Sequence, residues 1–174
     1  MKNLLIIGAS TLLLLFGCFS KNTKQIKQLH TSVAPLSVEI KSLIDNLNYQ
    51  MQQTKTYDAS YVELAYPNGD VPINTGVCAD VIVRALRAKN IDLQKEIHED
   101  MSQHFSAYPN KWNLKSTDKN IDHRRVPNQM KFFERNNKSK PITNIANDYL
   151  PGDIVAWMLP NNLYHVGMVS DEIN

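Results

Sequence analysis

The chain has 174 residues, and its 19 basic and 17 acidic side chains leave a formal charge of only +2. That balance, with no basic run interleaved with aromatics, gives no argument for a nucleic-acid partner. The length suits one domain with a real core rather than two, and there is no internal repeat or low-complexity tract.

Residues 1–18 read as an export signal. Lys2 supplies the positive start, and Leu4 to Phe16 is an apolar run too short to be a comfortable membrane span. The run ends in Leu15-Phe16-Gly17-Cys18, which resembles the bacterial lipobox, whose cysteine is lipidated and becomes the first mature residue. The expectation is a lipid anchor on Cys18 and an exported protein in the periplasm or cell envelope. Phe19, rather than an aspartate, follows the cysteine, which by resemblance to other lipoproteins favours the outer membrane. The chain has two cysteines, so lipidation or removal of Cys18 leaves Cys78 without an intramolecular partner in a compartment where disulfides persist.

Residues 19–35 are polar and read as a tether, with one domain over 36–174. Leu36, Ile40, Leu43, Ile44, Leu47 and Met51 fall at helical spacing behind Ser37, which is available as N-cap. Tyr57, Tyr61 and Tyr66 follow, closing on a Tyr66-Pro67-Asn68-Gly69-Asp70 turn; they either line a groove or pack beneath it. The next turn, Pro72 to Gly76, runs into a helix whose apolar residues Val81, Ile82, Ala85 and Leu86 recur from Cys78 onward. Cys78 should therefore stand at a helix N-terminus, where free backbone N–H groups and the helix dipole favour a thiolate. A small buried apolar residue is the competing reading of the same cysteine.

Asn90 suits the end of that helix, and Leu93, Ile97, Met101 and Phe105 mark one face of another. His98 and His104 are six apart and lie on different faces, so this cluster reads as a solvated helix surface, and no metal or other cofactor is expected. Asn120 to Asn128 is too charged for a core segment and should stop at Pro127. Its Arg124 and Arg125 form internal salt bridges or hold substrate carboxylates bidentately. Met130, Phe132 and Phe133 return to the core. Ile154 to Leu159 and Tyr164 to Ser170 form a hairpin around Pro160-Asn161-Asn162. His165, Gly167 and Val169 should share one face of it, Gly167 leaving room for close approach beside the histidine.

A helix-borne cysteine followed by Gly152-Asp153-Ile154-Val155-Ala156-Trp157 and His165-Val166-Gly167-Met168-Val169 resembles the NlpC-type papain-like cell-wall peptidases. More closely, the motifs Tyr57-Asp-x-Ser-Tyr, Tyr66-Pro-Asn-Gly-Asp-Val-Pro, Gly76-Val-Cys-x-Asp-Val, Ile91-Asp-Leu-Gln, Ile121-Asp-His-Arg-Arg-Val-Pro-Asn and Pro151-Gly-Asp-Ile-Val-Ala-Trp resemble the family called domain of unknown function 1287, grouped with the same fold. The resemblance covers about Tyr57 to Asp171. It implies an α+β, papain-like NlpC-type fold, with N-terminal helices packed on an antiparallel sheet. The implied activity is a cysteine peptidase or amidase that hydrolyses peptidoglycan stem peptides with Cys78 as nucleophile and His165 as base. Tyr66, Asp80, Arg124 and Arg125 would then serve the oxyanion or line the substrate groove. Those families continue into further strands carrying a third polar residue, whereas this chain ends at Asn174, so the resemblance also implies missing C-terminal strands. Asp171 or His123 would have to substitute for that residue. A catalytically inactive envelope lipoprotein that binds wall peptides is the alternative reading.

Overall fold

Ser37 opens the first helix as its sequence predicts: its hydroxyl accepts the Ile40 N–H at 3.3 Å, and α1 runs Val38–Gln53. The computed structural model describes residues 35–172, and the chain from Pro35 onward forms one compact unit. The signal segment with Cys18, and the tether as far as residue 34, lie outside the described residues. No helix among the described residues is long and apolar enough to cross a membrane.

The apolar stripe of α1 buries Leu43 and Ile44, but its last turn departs from expectation. Met51 is exposed, and Gln50 is buried instead, donating from Nε2 to the Val81 carbonyl of the neighbouring helix at 3.1 Å. After α1 a two-residue strand, β1 (Thr56–Tyr57), pairs in parallel with β2 (Thr75–Gly76). Helix α2 (Cys78–Arg87) follows directly, and Asn90 adopts the left-handed conformation that ends it, its φ being 58°. Helix α3 (Leu93–His104) is capped by Asp92, whose carboxylate accepts the Gln94 N–H. Leu93, Ile97 and Met101 on its inner face meet Ile82 and Leu86 of α2 in the main core. A fully buried Leu or Ile contributes about 1.5–3 kcal/mol, so this seam adds to the apolar support that α2 draws from its other neighbours in the same core.

Asn120 to Asn128 overturns its sequence reading twice. Too charged for a core segment by its composition, it is nonetheless interior: Asp122, His123, Arg124, Asn128 and Gln129 are all buried. The cost of burying them is offset in part by hydrogen bonds, including Asn128 Nδ2 to the Asp122 carbonyl and Gln129 Nε2 to the carbonyls of His123 and Ala79, while Asn128 Oδ1 and Gln129 Oε1 find no protein partner among the described residues. Nor does Pro127 stop a segment. It occupies the first turn of α4 (Val126–Arg135), where its missing N–H has no helical partner to lose. Phe132 and Phe133 pack against the core as expected, while Met130 is exposed.

The C-terminal hairpin forms in the expected place, with β3 (Ile154–Met158) antiparallel to β4 (Tyr164–Met168). Ile154, Ala156, Tyr164, Val166 and Met168 face the core and lie against α2, leaving Val155, Trp157, His165 and Gly167 on the opposite face. Among the described residues the architecture is α+β: four α-helices with two small, separate two-stranded sheets.

Candidate active site

Cys78 is the first residue of α2, half-buried and without a disulfide partner among the described residues. Its backbone N–H has no partner within the helix, because the first four amides of any α-helix lack an i−4 carbonyl. The approach to it is held by two arginines. Arg84, buried, donates from Nε to both oxygens of Asp70 at 3.1 and 3.0 Å, and from Nη2 to the carbonyls of Val71 and Thr75 at 3.0 and 3.1 Å. Its guanidinium thus ties down the turn that precedes the cysteine. Gly76 completes that turn with φ 155°. A Cβ there would lie 3.2 Å from Asp80 Oδ2 and 3.3 Å from Arg84 Nη1, so glycine is what lets the chain pass.

Arg124 holds the other side. It grips Asp80 with a two-pronged contact, Nε to Oδ1 at 2.8 Å and Nη2 to Oδ2 at 3.0 Å, and also donates to the Ser60 carbonyl. The same Asp80 carboxylate accepts the Val77 N–H at 2.7 Å, fixing the residue just before Cys78. Burial works against the charge on Arg124, but the hydrogen bonds and charge of Asp80 outweigh it and hold the guanidinium above its ordinary value. Asp80 and Arg124 therefore do not line a groove. They form a buried pair beneath the helix start and orient the cysteine from below.

A groove of about 300 Å³ opens above it. Residues 54–57 line it together with Gly76, Val77, Cys78, Val81, His165 and Val166, and Tyr57 lies beside Gly76 in the β1–β2 pair. Cys78 and His165, 87 positions apart in the sequence by subtraction, thus share one cavity. Val166 and His165 point to opposite faces of β4 yet both reach the groove, so it runs along the edge of that strand. The His165 ring packs edge-on against Trp157, its cross-strand partner, with centroids 4.7 Å apart. The room beside Gly167 is filled by this same indole: a Cβ there would meet its ring carbons at 3.4 and 3.5 Å.

Other expected members lie elsewhere. Tyr66 packs edge-on against His98 of α3 at 5.3 Å, where burial and the charge of Glu99 push its phenol up; it is not among the groove residues. Arg125 donates to Asp122 at 3.3 Å and lies over the Trp112 ring at 4.1 Å. Burial lowers this arginine and raises Asp122, both against their charged forms. The internal-salt-bridge reading of the two arginines describes what they do here, and the substrate-carboxylate reading does not. His123 is buried with Nδ1 lacking a partner, and Asp171 is exposed beside Ser170. Neither lines the groove. Sequence reasoning missed Thr54, Lys55 and Thr56 as groove residues, since no motif marks them. Trp157 could have been found, because a hairpin turning on Pro160-Asn161-Asn162 sets it opposite His165.

A second cavity of about 340 Å³, whose lining includes Met101, Phe105, Ser106, Tyr108 and Trp112, has no cysteine or histidine among its lining residues. Among the described residues, no three His, Cys, Asp or Glu side chains are placed to hold a metal ion.

The family described as "Domain of unknown function (DUF1287)" matches residues 44–174. The chain belongs to this family. The match begins inside α1, ahead of Tyr57, and takes in every residue of the groove. The chain is also 49% identical over 145 residues to "Uncharacterized protein YijF" of Escherichia coli (strain K12), an alignment covering 80% of this chain and 71% of that one. No solved structure matches.

Proposed function

We propose that this member of the DUF1287 family is an exported cysteine peptidase or amidase of the cell envelope, papain-like in its arrangement and anchored through a lipid on Cys18. Its substrates are the amide bonds of peptidoglycan stem peptides. The observation that carries the proposal is the meeting of Cys78, at the start of α2, with His165 in one groove. Helix start, thiol and imidazole together are the parts a nucleophilic acyl transfer needs.

In that reaction the sulfur of Cys78 attacks the amide carbon, its proton passing to His165 as the C–S bond forms. The carbonyl oxygen becomes an oxyanion that the Cys78 backbone N–H stabilises. The C–N bond then breaks, and His165 returns the proton to the departing amine. Water, deprotonated by His165, attacks the thioester and releases the carboxylic acid with the free thiol. Asp80 and Arg124 touch no substrate in this scheme; they hold the helix start in place.

The test is digestion of purified peptidoglycan by the mature protein and by Cys78→Ala, with products read by mass spectrometry. New stem-peptide fragments from the first and none from the second are expected. No fragments from either folded protein would refute hydrolysis and leave a protein that binds wall peptides without cutting them.

A further inference from the structure

Resting on this reading of the groove, we infer that Lys55 is its anion-recognising residue, and that the substrate carries a free carboxylate close to the scissile amide. Lys55 is the only lysine, arginine, aspartate or glutamate among the residues that line the cavity with Cys78 and His165. The nearby arginines are committed elsewhere: Arg84 and Arg87 to Asp70, Arg124 to Asp80, Arg125 to Asp122. Lys55 has no such partner among the described residues. Its ammonium donates to the Met51 carbonyl in the last turn of α1 at 3.0 Å, leaving further N–H donors for a ligand.

Its backbone is fixed as well. The Lys55 N–H donates to the Asn74 carbonyl at 3.0 Å, where β1 joins the segment leading to Cys78. The lysine is thus held at both ends, and the residue is exposed among otherwise uncharged neighbours in the lining, two threonines and Tyr57. A groove with one cation and no anion attracts a carboxylate and disfavours its neutral amide. In a stem peptide the free α-carboxyl of a γ-linked glutamate is a group of that chemistry, set next to a peptide bond.

Binding is measured by fluorescence anisotropy on the full chain carrying Cys78→Ala, which cannot consume its ligand. The probes are two labelled tetrapeptides, L-Ala–γ-D-Glu–L-Lys–D-Ala, both amidated at the C-terminus, one with the glutamate α-carboxyl free and one with it amidated. The free acid is expected to bind about fivefold tighter, the upper end for a solvent-exposed ion pair. Lys55→Ala abolishes that preference, Lys55→Arg keeps it and Lys55→Glu reverses it. Equal binding of the two probes, binding of neither, or a preference that survives Lys55→Ala overturns the inference. Turnover of the same peptides by protein with Cys78 intact separates the two claims. Cleavage indifferent to the carboxyl keeps the hydrolase and removes Lys55 from it; carboxyl-dependent binding without cleavage keeps Lys55 and removes the hydrolase.

Discussion

Arg124 shows how one side chain can decide the geometry of a site it never enters. Its guanidinium and the Asp80 carboxylate are both almost fully buried, so removing either leaves the other an unpaired interior charge. Arg124→Ala should cost about 3–5 kcal/mol in urea unfolding, far above the effect expected for the exposed Lys41–Asp45 pair, whose loss should cost no more than about 0.5 kcal/mol. His123, the neighbouring residue, gives a second test. Burial holds its imidazole down, to about 4 from an ordinary 6.5, against the opposing pull of Asp80. Between those values the unfolded chain carries a proton on His123 that the folded chain does not, so stability falls as pH drops through the window. The loss should approach about 3 kcal/mol by pH 4, and urea midpoints for His123→Gln should fall less steeply between pH 7 and pH 4.5 than those of the wild type.

At the scale of elements, the start of α2 depends on a turn with no spare room. Gly76→Ala should destabilise the protein by about 1–3 kcal/mol, because the backbone is unfavourable for a side chain and the new methyl crowds both Asp80 and Arg84. A thermal melt checks this; an unchanged melting temperature would show that the turn has slack. Helices α1, α2 and α3 and the β3–β4 hairpin were legible in the sequence because each advertises a period and a cap or turn of its own. The 120–129 segment was not. Its charged residues look like a solvated surface until long-range partners are known, and Arg124 meets Asp80 and Ser60 from 44 and 64 positions away. Pro127 misled for a related reason, since the same residue that ends one helix can begin another.

Across the whole molecule, motifs in the sequence single out Cys78 and His165, which line one groove, but no motif marks Thr54, Lys55 and Thr56 beside them. Periodicity could not show that residues 54–57 share a groove with the cysteine, because that follows from the pairing of β1 with β2 across an intervening stretch with no regular element. Tyr66, Asp80, Arg124 and Arg125 all fall in motifs, and the structure uses them for packing and internal ion pairs, the second being one of the two roles the sequence leaves open for the arginines. Motif density marked the region of the site without distinguishing the residues that face a ligand from those that support them.

In the proposed reaction Cys78 and His165 act as one unit. Values of kcat/KM on a stem-peptide substrate for the wild type, Cys78→Ala, His165→Ala and the double variant test it directly. Residues that serve a single covalent step are non-additive, so each single substitution should bring the rate down by about a thousandfold or more, to the level of the double variant. A His165→Ala protein that keeps wild-type kcat/KM while Cys78→Ala loses it would contradict the account.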